Sequence, residues 1–423
     1  MISSKNGWEA EPMSEAGVAE MTKGTEVQGR RLGRAGGRRP GPTLLCVAGI
    51  HGNEPAGIHA VRRVLPALQD RDDQIGGQFV ALAGNIEALR HGRRFVDRDL
   101  NRAWTSERII ELRAGAATNG TVEDREQTEL LREIEKVLEA ADGPVYALDL
   151  HTTSGPGGVF SAFTDSLPHR DFASAFPVPM IFGLEELVDG TLLNLLSEHG
   201  IVAVTVETGQ HDEPAAVDRA EAALWIAVVA AGLLPEHAVP QLVEARKRLE
   251  RDVEGLPRAL EMRQKRDVHD GDGFVMEPGY SNFDPVKAGD VVAHDARGEV
   301  VVEEDGRLLM PLYQEQGEDG FFLVREFRPL WMRASVAMRR AGLSRIVTWL
   351  PGVRRAVDNP DEVVVNKHVA RFFARQLFHL LGFRQLEDAG DTLVMRRRPF
   401  DEGRYLKRPP RPGPIEPDGG SGS

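Results

Sequence analysis

The chain has 423 residues, 41% hydrophobic and 28% charged, the composition of an ordinary globular protein with two or three domains. Its net charge of −13 argues against nucleic acid as the main partner. The single cysteine, Cys46, excludes an intrachain disulfide and a cysteine-built metal site; within the apolar run LLCVAG it reads as a buried strand residue of a protein kept in a reducing compartment.

Residues 1–24 carry acidic groups and no apolar core segment, so they read as a disordered N-terminus rather than a secretory signal. Residues 25–240 alternate short apolar strands with amphipathic helices. Strands are expected at Leu44–Gly49, Phe79–Ala83, Val145–Leu150, Gly158–Phe163, Pro179–Phe182 and Ile201–Glu207. Helices are expected at Ala56–Leu68, Asp124–Ala141, Leu192–His199 and Pro214–Leu234. The pattern predicts an α/β domain with a mainly parallel sheet covered on both faces. Its longest apolar run, Ala222–Leu234, is too short to span a bilayer, so no membrane span is expected and a cytoplasmic location follows by default.

Residues 241–267 read as a charged, solvent-facing helical connector, and residues 268–327 as a small β domain of short, Gly-punctuated strands. Residues 328–408 form a basic appendage, helical with a strand pair after LLGF, before a disordered tail at 409–423. Between Arg325 and Arg398 there are 15 Arg/Lys against 7 Asp/Glu, which suits packing on the acidic body or on another subunit and leaves a homo-oligomer open. Phe372, Phe373, Leu377, Leu380 and Leu381 recur at helical spacing, so a docked, folded unit that supplies no catalytic residue is expected.

The first expected strand runs into AGIHGNEPAG, with Pro55 suited to a first helical turn. His51 and Glu54 then share a loop at the carboxyl edge of the sheet, where ligands bind in open α/β folds. VYALDLH brings His151 to the same edge. Two histidines and a glutamate, with one position left for water, make a catalytic zinc set. Asp149 alternates with His151 and could support it or be structural. Glu207 closes another apolar strand in VAVTVETG and reads as a general acid/base or as a helix-capping carboxylate. Arg94, Asn101 and Arg102 in RRFVDRDLNR read as an anion clamp and carbonyl polariser, or as an ion-pair network with Asp97 and Asp99.

In this order, HGNEP, RFVDRDLNR, LDLH and VETG resemble the succinylglutamate desuccinylase/aspartoacylase family, a distant relative of the zinc carboxypeptidases. The resemblance implies a carboxypeptidase-like α/β fold that binds one Zn2+ through His51, Glu54 and His151. It implies Glu207 as general acid/base, Arg94 as polariser of the scissile carbonyl, and Asn101 with Arg102 as clamp for a substrate carboxylate. The expected activity is hydrolysis of a small N-acylated, carboxylate-bearing substrate. Two departures stand out: LLSEHGIVAV lacks the arginine that aspartoacylases carry before the catalytic glutamate, and Tyr313 fits a packed strand end better than the family's pocket tyrosine. The alternatives are a zinc carboxypeptidase acting on peptides and a catalytically silent scaffold.

Overall fold

A computed structural model of the chain describes residues 25–115, 120–356, 359, 361–369, 374–401 and 415. The expectations for the N-terminus, most of the tail, Phe372 and Phe373 lie outside these residues. In chain order the body contains β1 (Arg31–Gly36), β2 (Thr43–Ala48), α1 (Ala56–Gln69), β3 (Gln78–Ala83), α2 (Ile86–His91), α3 (Ser106–Arg113) and α4 (Val122–Glu139). It continues with β4 (Val145–Thr153), β5 (Phe160–Phe163), α5 (Leu167–Ser174), β6 (Met180–Phe182), α6 (Leu184–Leu187), α7 (Leu192–Glu198), β7 (Val202–Gln210), α8 (Pro214–Ala230) and α9 (Leu242–Arg251). Then come β8 (Ala259–Asp267), β9 (Val275–Met276), β10 (Pro285–Val286), β11 (Val291–Asp295), β12 (Gly298–Val301), β13 (Gly306–Leu309) and β14 (Asp319–Glu326). The appendage supplies α10 (Pro329–Arg340), β15 (Val353–Arg355), β16 (Glu362–Asn366), α11 (Ala374–Leu380), β17 (Phe383–Ala389) and β18 (Thr392–Arg397).

Eleven strands form one mixed sheet in the order β1-β3-β2-β4-β7-β5-β6-β8-β14-β13-β10. Its centre, β3-β2-β4-β7, is parallel. Every residue of β2 is buried, as a central strand covered on both faces requires. Side-chain alternation divides the core in two. Leu44, Cys46, Ala48, Leu148 and Leu150 pack with α1 and α8 on one face. Leu45, Val47, Val145, Ala147 and Ala203 pack with α4 and α7 on the other. Asp149, His151 and Glu207 continue the second parity beyond that core, toward the carboxyl edge. α4 begins with a capping box in which Thr121 and Asp124 satisfy each other's exposed amides.

The helical connector expected at 241–267 is corrected. Only Leu242–Arg251 is helical there, and Ala259–Asp267 is a strand paired with β6 and β14. The helix ends at Arg251, Gly255 and Pro257 follow in the turn after it, and the buried Ala259 and Leu260 tie the strand into the sheet. The charges that suggested a solvated helix lie on its outer half. β8, β14, β13 and β10 thus extend the body's sheet, and only β9, β11 and β12 make a separate small one. The appendage is also more sheet-like than expected, with four strands in the order β15-β16-β18-β17. They cover a small core of Val347, Val363, Val365, Phe378, Leu381, Phe383, Leu393 and Met395. Among the described residues no helix is long and apolar enough to cross a membrane.

Candidate functional site

The loop after β2 turns sharply, with Gly49 at φ 69° and the Glu54 amide donating to the His51 carbonyl over 3.2 Å. Gly52 passes so close to α2 that a Cβ there would lie 2.0 Å from the Ala88 carbonyl carbon. Its amide donates to Arg94 O over 3.1 Å, which ties the HGNEP loop to the RRF segment. The loop places His51 and Glu54 beside His151, and one ligand atom from each of the three lies within 4.8 Å of the others. All three are buried.

The contacts define how these side chains are held. Nδ1 of His51 is 2.8 Å from Glu54 Oε1, and Nδ1 of His151 is 3.1 Å from Glu54 Oε2. The opposite ring nitrogens face other carboxylates: His51 Nε2 is 3.1 Å from Asp99, and His151 Nε2 is 2.9 Å from Asp149. Every ring nitrogen of the two histidines therefore faces a carboxylate. With Asp99 and Asp149 holding a proton at each Nε2, Nδ1 either carries a second proton toward Glu54 or turns its lone pair to a bound cation. This donor set fits a divalent metal such as zinc. Burial opposes ionisation of Glu54, yet the two imidazoles hold its carboxyl well below the usual range. Burial likewise opposes charging of His151, but Asp149 and Glu54 hold its imidazolium well above the usual range.

Asp99 links two of the sequence readings. It accepts from Arg94 Nε over 3.0 Å while facing His51, so the ion-pair network and the candidate metal site are one structure. Asp97 instead accepts from the Val122 amide. Arg94 also lies 3.8 Å from Glu54. Asn101 uses Oδ1 to accept from the Leu192 amide over 2.9 Å, and its Nδ2 has no partner among the described residues. Arg102 pairs with Asp319 of β14 over 2.5 Å.

Glu207 stands opposite His151 in the parallel register of β4 and β7. Its Oε2 is buried without a hydrogen-bond partner among the described residues. Desolvation pushes its carboxyl up to about 8, against the opposing pull of His151. His51, Glu54, Arg94, Asn101, Arg102, His151 and Glu207 all line one cavity of about 120 Å³. Met310, Leu312, Gln314 and Phe322 from the later β segment also line it. Tyr313 does not line it: its hydroxyl donates to Glu277 O over 2.7 Å and accepts from the Tyr280 amide over 3.0 Å.

Sequence reasoning missed His211, Gln314 and Glu185, which also line the cavity. His211 Nδ1 is 2.7 Å from Thr152 Oγ1 and its Nε2 is 3.1 Å from Gln314 Oε1. His211 had a signal, being four residues beyond Glu207 at the same strand end. Gln314 and Glu185 had none, because distant segments bring them in.

Residues 40–227 match the family model described as the succinylglutamate desuccinylase/aspartoacylase catalytic domain. The chain is 43% identical over 69 residues to the succinylglutamate desuccinylase of Pseudomonas paraeruginosa (strain DSM 24068 / PA7), 16% of this chain and 21% of that protein. It is 36% identical over 100 residues to that of Pseudomonas fluorescens (strain Pf0-1), 21% of this chain and 30% of that protein. The chain thus matches a fifth to a third of the length of these relatives. Its fold resembles the crystal structure of a succinylglutamate desuccinylase/aspartoacylase from Rhodobacter sphaeroides, with TM-score 0.52 and 19% identity over 69% of this chain and 87% of that one.

Proposed function

Because the chain belongs to the succinylglutamate desuccinylase/aspartoacylase family through its catalytic domain at residues 40–227, we propose that it is a zinc-dependent amidohydrolase. Its substrate is a small N-acyl amino acid or similar carboxylate-bearing amide. The observation that carries this reading is the meeting of the His51–Glu54–His151 set and the carboxyl of Glu207 in one cavity.

His51, Glu54 and His151 hold the metal, with Asp99 and Asp149 orienting the imidazoles. Bound there, zinc supplies Lewis acidity, which acidifies a water and polarises the scissile carbonyl. Glu207 takes a proton from the attacking water on its carboxylate and returns it to the departing amine nitrogen as the C–N bond breaks. Arg94 lies close enough to the donor set to stabilise negative charge on the carbonyl oxygen. Asn101 Nδ2 and Arg102 anchor the substrate carboxylate, which competes with Asp319 for the guanidinium.

The small volume of the cavity, about 120 Å³, favours a small acyl amino acid over a peptide. A screen of zinc-loaded protein against N-acetyl, N-succinyl and other N-acyl amino acids, with amine release as readout, tests the activity. Metal analysis tests the centre: one zinc per chain is expected, and His151→Ala should lose most of it. A folded, zinc-replete His151→Ala protein would remove His151 from the ligand set. Folded, zinc-replete wild type that releases no amine from any substrate would favour the silent scaffold.

A further inference from the structure

The C-terminal appendage presents a surface that the candidate site does not use. Residues 328–356 contain seven arginines and no Asp, Glu or Lys. Arg339 is turned inward and pairs with Asp165. Arg328, Arg333, Arg340, Arg354 and Arg355 are exposed and have no ion-pair partner among the described residues. The same stretch leaves apolar groups in water. Of the twelve large apolar side chains exposed among the described residues, seven lie between Leu330 and Val369, including Trp331 at 50% and Trp349 at 82%.

Local geometry gathers these groups. Leu343–Trp349 is a 3-10 helix, and with three residues per turn its side chains eclipse one another at every third position. Leu343, Ile346 and Trp349 therefore form one exposed ridge, while Val347 faces the core of the appendage. Leu350 continues the exposed apolar run. Val369 adjoins it from another segment, since a Cβ on Gly352 would lie 2.7 Å from the Val369 Cβ.

Beside the ridge, Ser344, Arg345 and Thr348 of the same helix line a cavity of about 280 Å³ together with Arg355 and Arg397. Asp361 is the one carboxylate on its lining, and Arg397 Nε donates to it over 3.0 Å. Three guanidiniums against one carboxylate leave the cavity positive, with two hydroxyls to add hydrogen bonds to an anion. Trp, Leu and Ile beside Arg are the side chains that settle at a bilayer interface, the apolar groups at the acyl boundary and the guanidiniums on headgroup phosphates.

From this juxtaposition we infer that the appendage docks the protein on an anionic phospholipid surface. The Leu343–Ile346–Trp349 ridge inserts, and a headgroup phosphate enters the arginine cavity. A second copy of the chain fits this face less well. Pairing it with itself opposes arginine to arginine, and the other five exposed apolar side chains, Ile110, Val243, Val275, Val301 and Tyr313, lie singly on different segments of the body. The inference does not depend on the deacylase reading.

The test mixes full-length protein with vesicles of phosphatidylcholine alone or with about a third phosphatidylglycerol, and reads the fraction that sediments with them. Protein should sediment with the anionic vesicles and not with the neutral ones, and raising salt to about 1 M should weaken binding. Trp349→Ala, at a site too exposed to support the fold, should weaken it about tenfold. Arg345→Gln combined with Arg355→Gln should weaken it about twentyfold, at about fivefold for each charge near an anionic surface. An unchanged thermal unfolding midpoint separates lost docking from lost structure, and Ile346→Ser replaces any variant that fails this control. No sedimentation with anionic vesicles, equal sedimentation with neutral ones, or binding that survives the ridge and arginine variants would each overturn the inference. Calorimetric binding of glycerol 3-phosphate without vesicle binding would overturn it by making the cavity a site for a soluble anion. A dimer that depends on Trp349, without vesicle binding, would overturn it by making the ridge a subunit contact.

Discussion

Two groups of buried charges flank residues 184–194 of the cavity wall, and they are built on opposite rules. In the first, His51, Glu54 and His151 gather ligand atoms within 4.8 Å of one another, and Glu207 keeps an unpartnered oxygen beside them. In the second, fixed guanidinium donors are inserted between carboxylates. Arg339, whose side chain is fully buried, donates to the Asp165 carboxylate and carbonyl, to Asp401, and to the carbonyls of His379 and Leu380. Both groups bear the cost of taking charge out of water. Donor–acceptor balance separates them: in the second each carboxylate meets a guanidinium, with Glu185 Oε2, Arg170 Nη1 and Arg398 Nε left without partners among the described residues, whereas the first gathers a donor set that could hold a cation. Burial of charge is therefore a poor guide to function until donors and acceptors are matched atom by atom.

The contrast predicts different failures. The largest effect should follow removal of a fixed donor from the second group. Arg339→Met leaves Asp165 and Asp401 buried beside one guanidinium fewer, and should lower unfolding stability by about 3–5 kcal/mol in denaturant titration. Zinc content in the protein that remains folded should be unchanged. A destabilisation under about 1 kcal/mol would show that the appendage is not locked to the body by this residue.

Next in size is the unpartnered oxygen of the first group. Glu207→Gln should preserve zinc and fold while lowering kcat by about 10²-fold or more, the scale of a lost general acid/base. Near-normal turnover in that variant would require another proton carrier, and His211 would then be the first to examine.

Arg102→Ala should act more mildly. A carboxylate clamp holds ground and transition states alike, so KM should rise by about tenfold with kcat little changed. A matching fall in kcat instead would place Arg102 in transition-state stabilisation.

The smallest effect concerns a histidine outside both groups. His169 is buried between Ser166 Oγ at 2.7 Å and Ser197 Oγ and Ile201 O, each at 3.1 Å. Burial pushes its imidazole from 6.5 down to about 4. The unfolded chain therefore takes up the proton first, so this contribution is intact above pH 6.5 and is lost as pH falls toward 4. The slope from one such group is at most about 1.4 kcal/mol per pH unit. In His169→Gln the stability-against-pH curve should flatten within that window. An unchanged slope would mean that His169 is not the group titrating there.

What was legible in the sequence follows from chain proximity and strand parity. β2, β4 and β7 announce themselves as apolar runs, because central parallel strands are buried on both faces. Alternation along such runs places Asp149, His151 and Glu207 on one face. Three residues of loop suffice to bring Glu54 back to His51. Hence the candidate donor set could be named without coordinates. The strand at 259–267 was hidden because its pairing face is specified by β6 and β14, while its own charges mimic a solvated helix.

The remaining features depend on contacts that no local pattern encodes. Asp99 spans His51 and Arg94; Gln314 reaches His211 from 103 residues away; Arg398 reaches Glu185 across 213. The amino-acid order by itself determined which strand ends carry imidazole and carboxylate, because backbone periodicity decides that locally. Tertiary structure alone decided which of those groups are satisfied and which stay open to a ligand, because the partners of a buried polar atom are supplied by whichever distant segment packs against it.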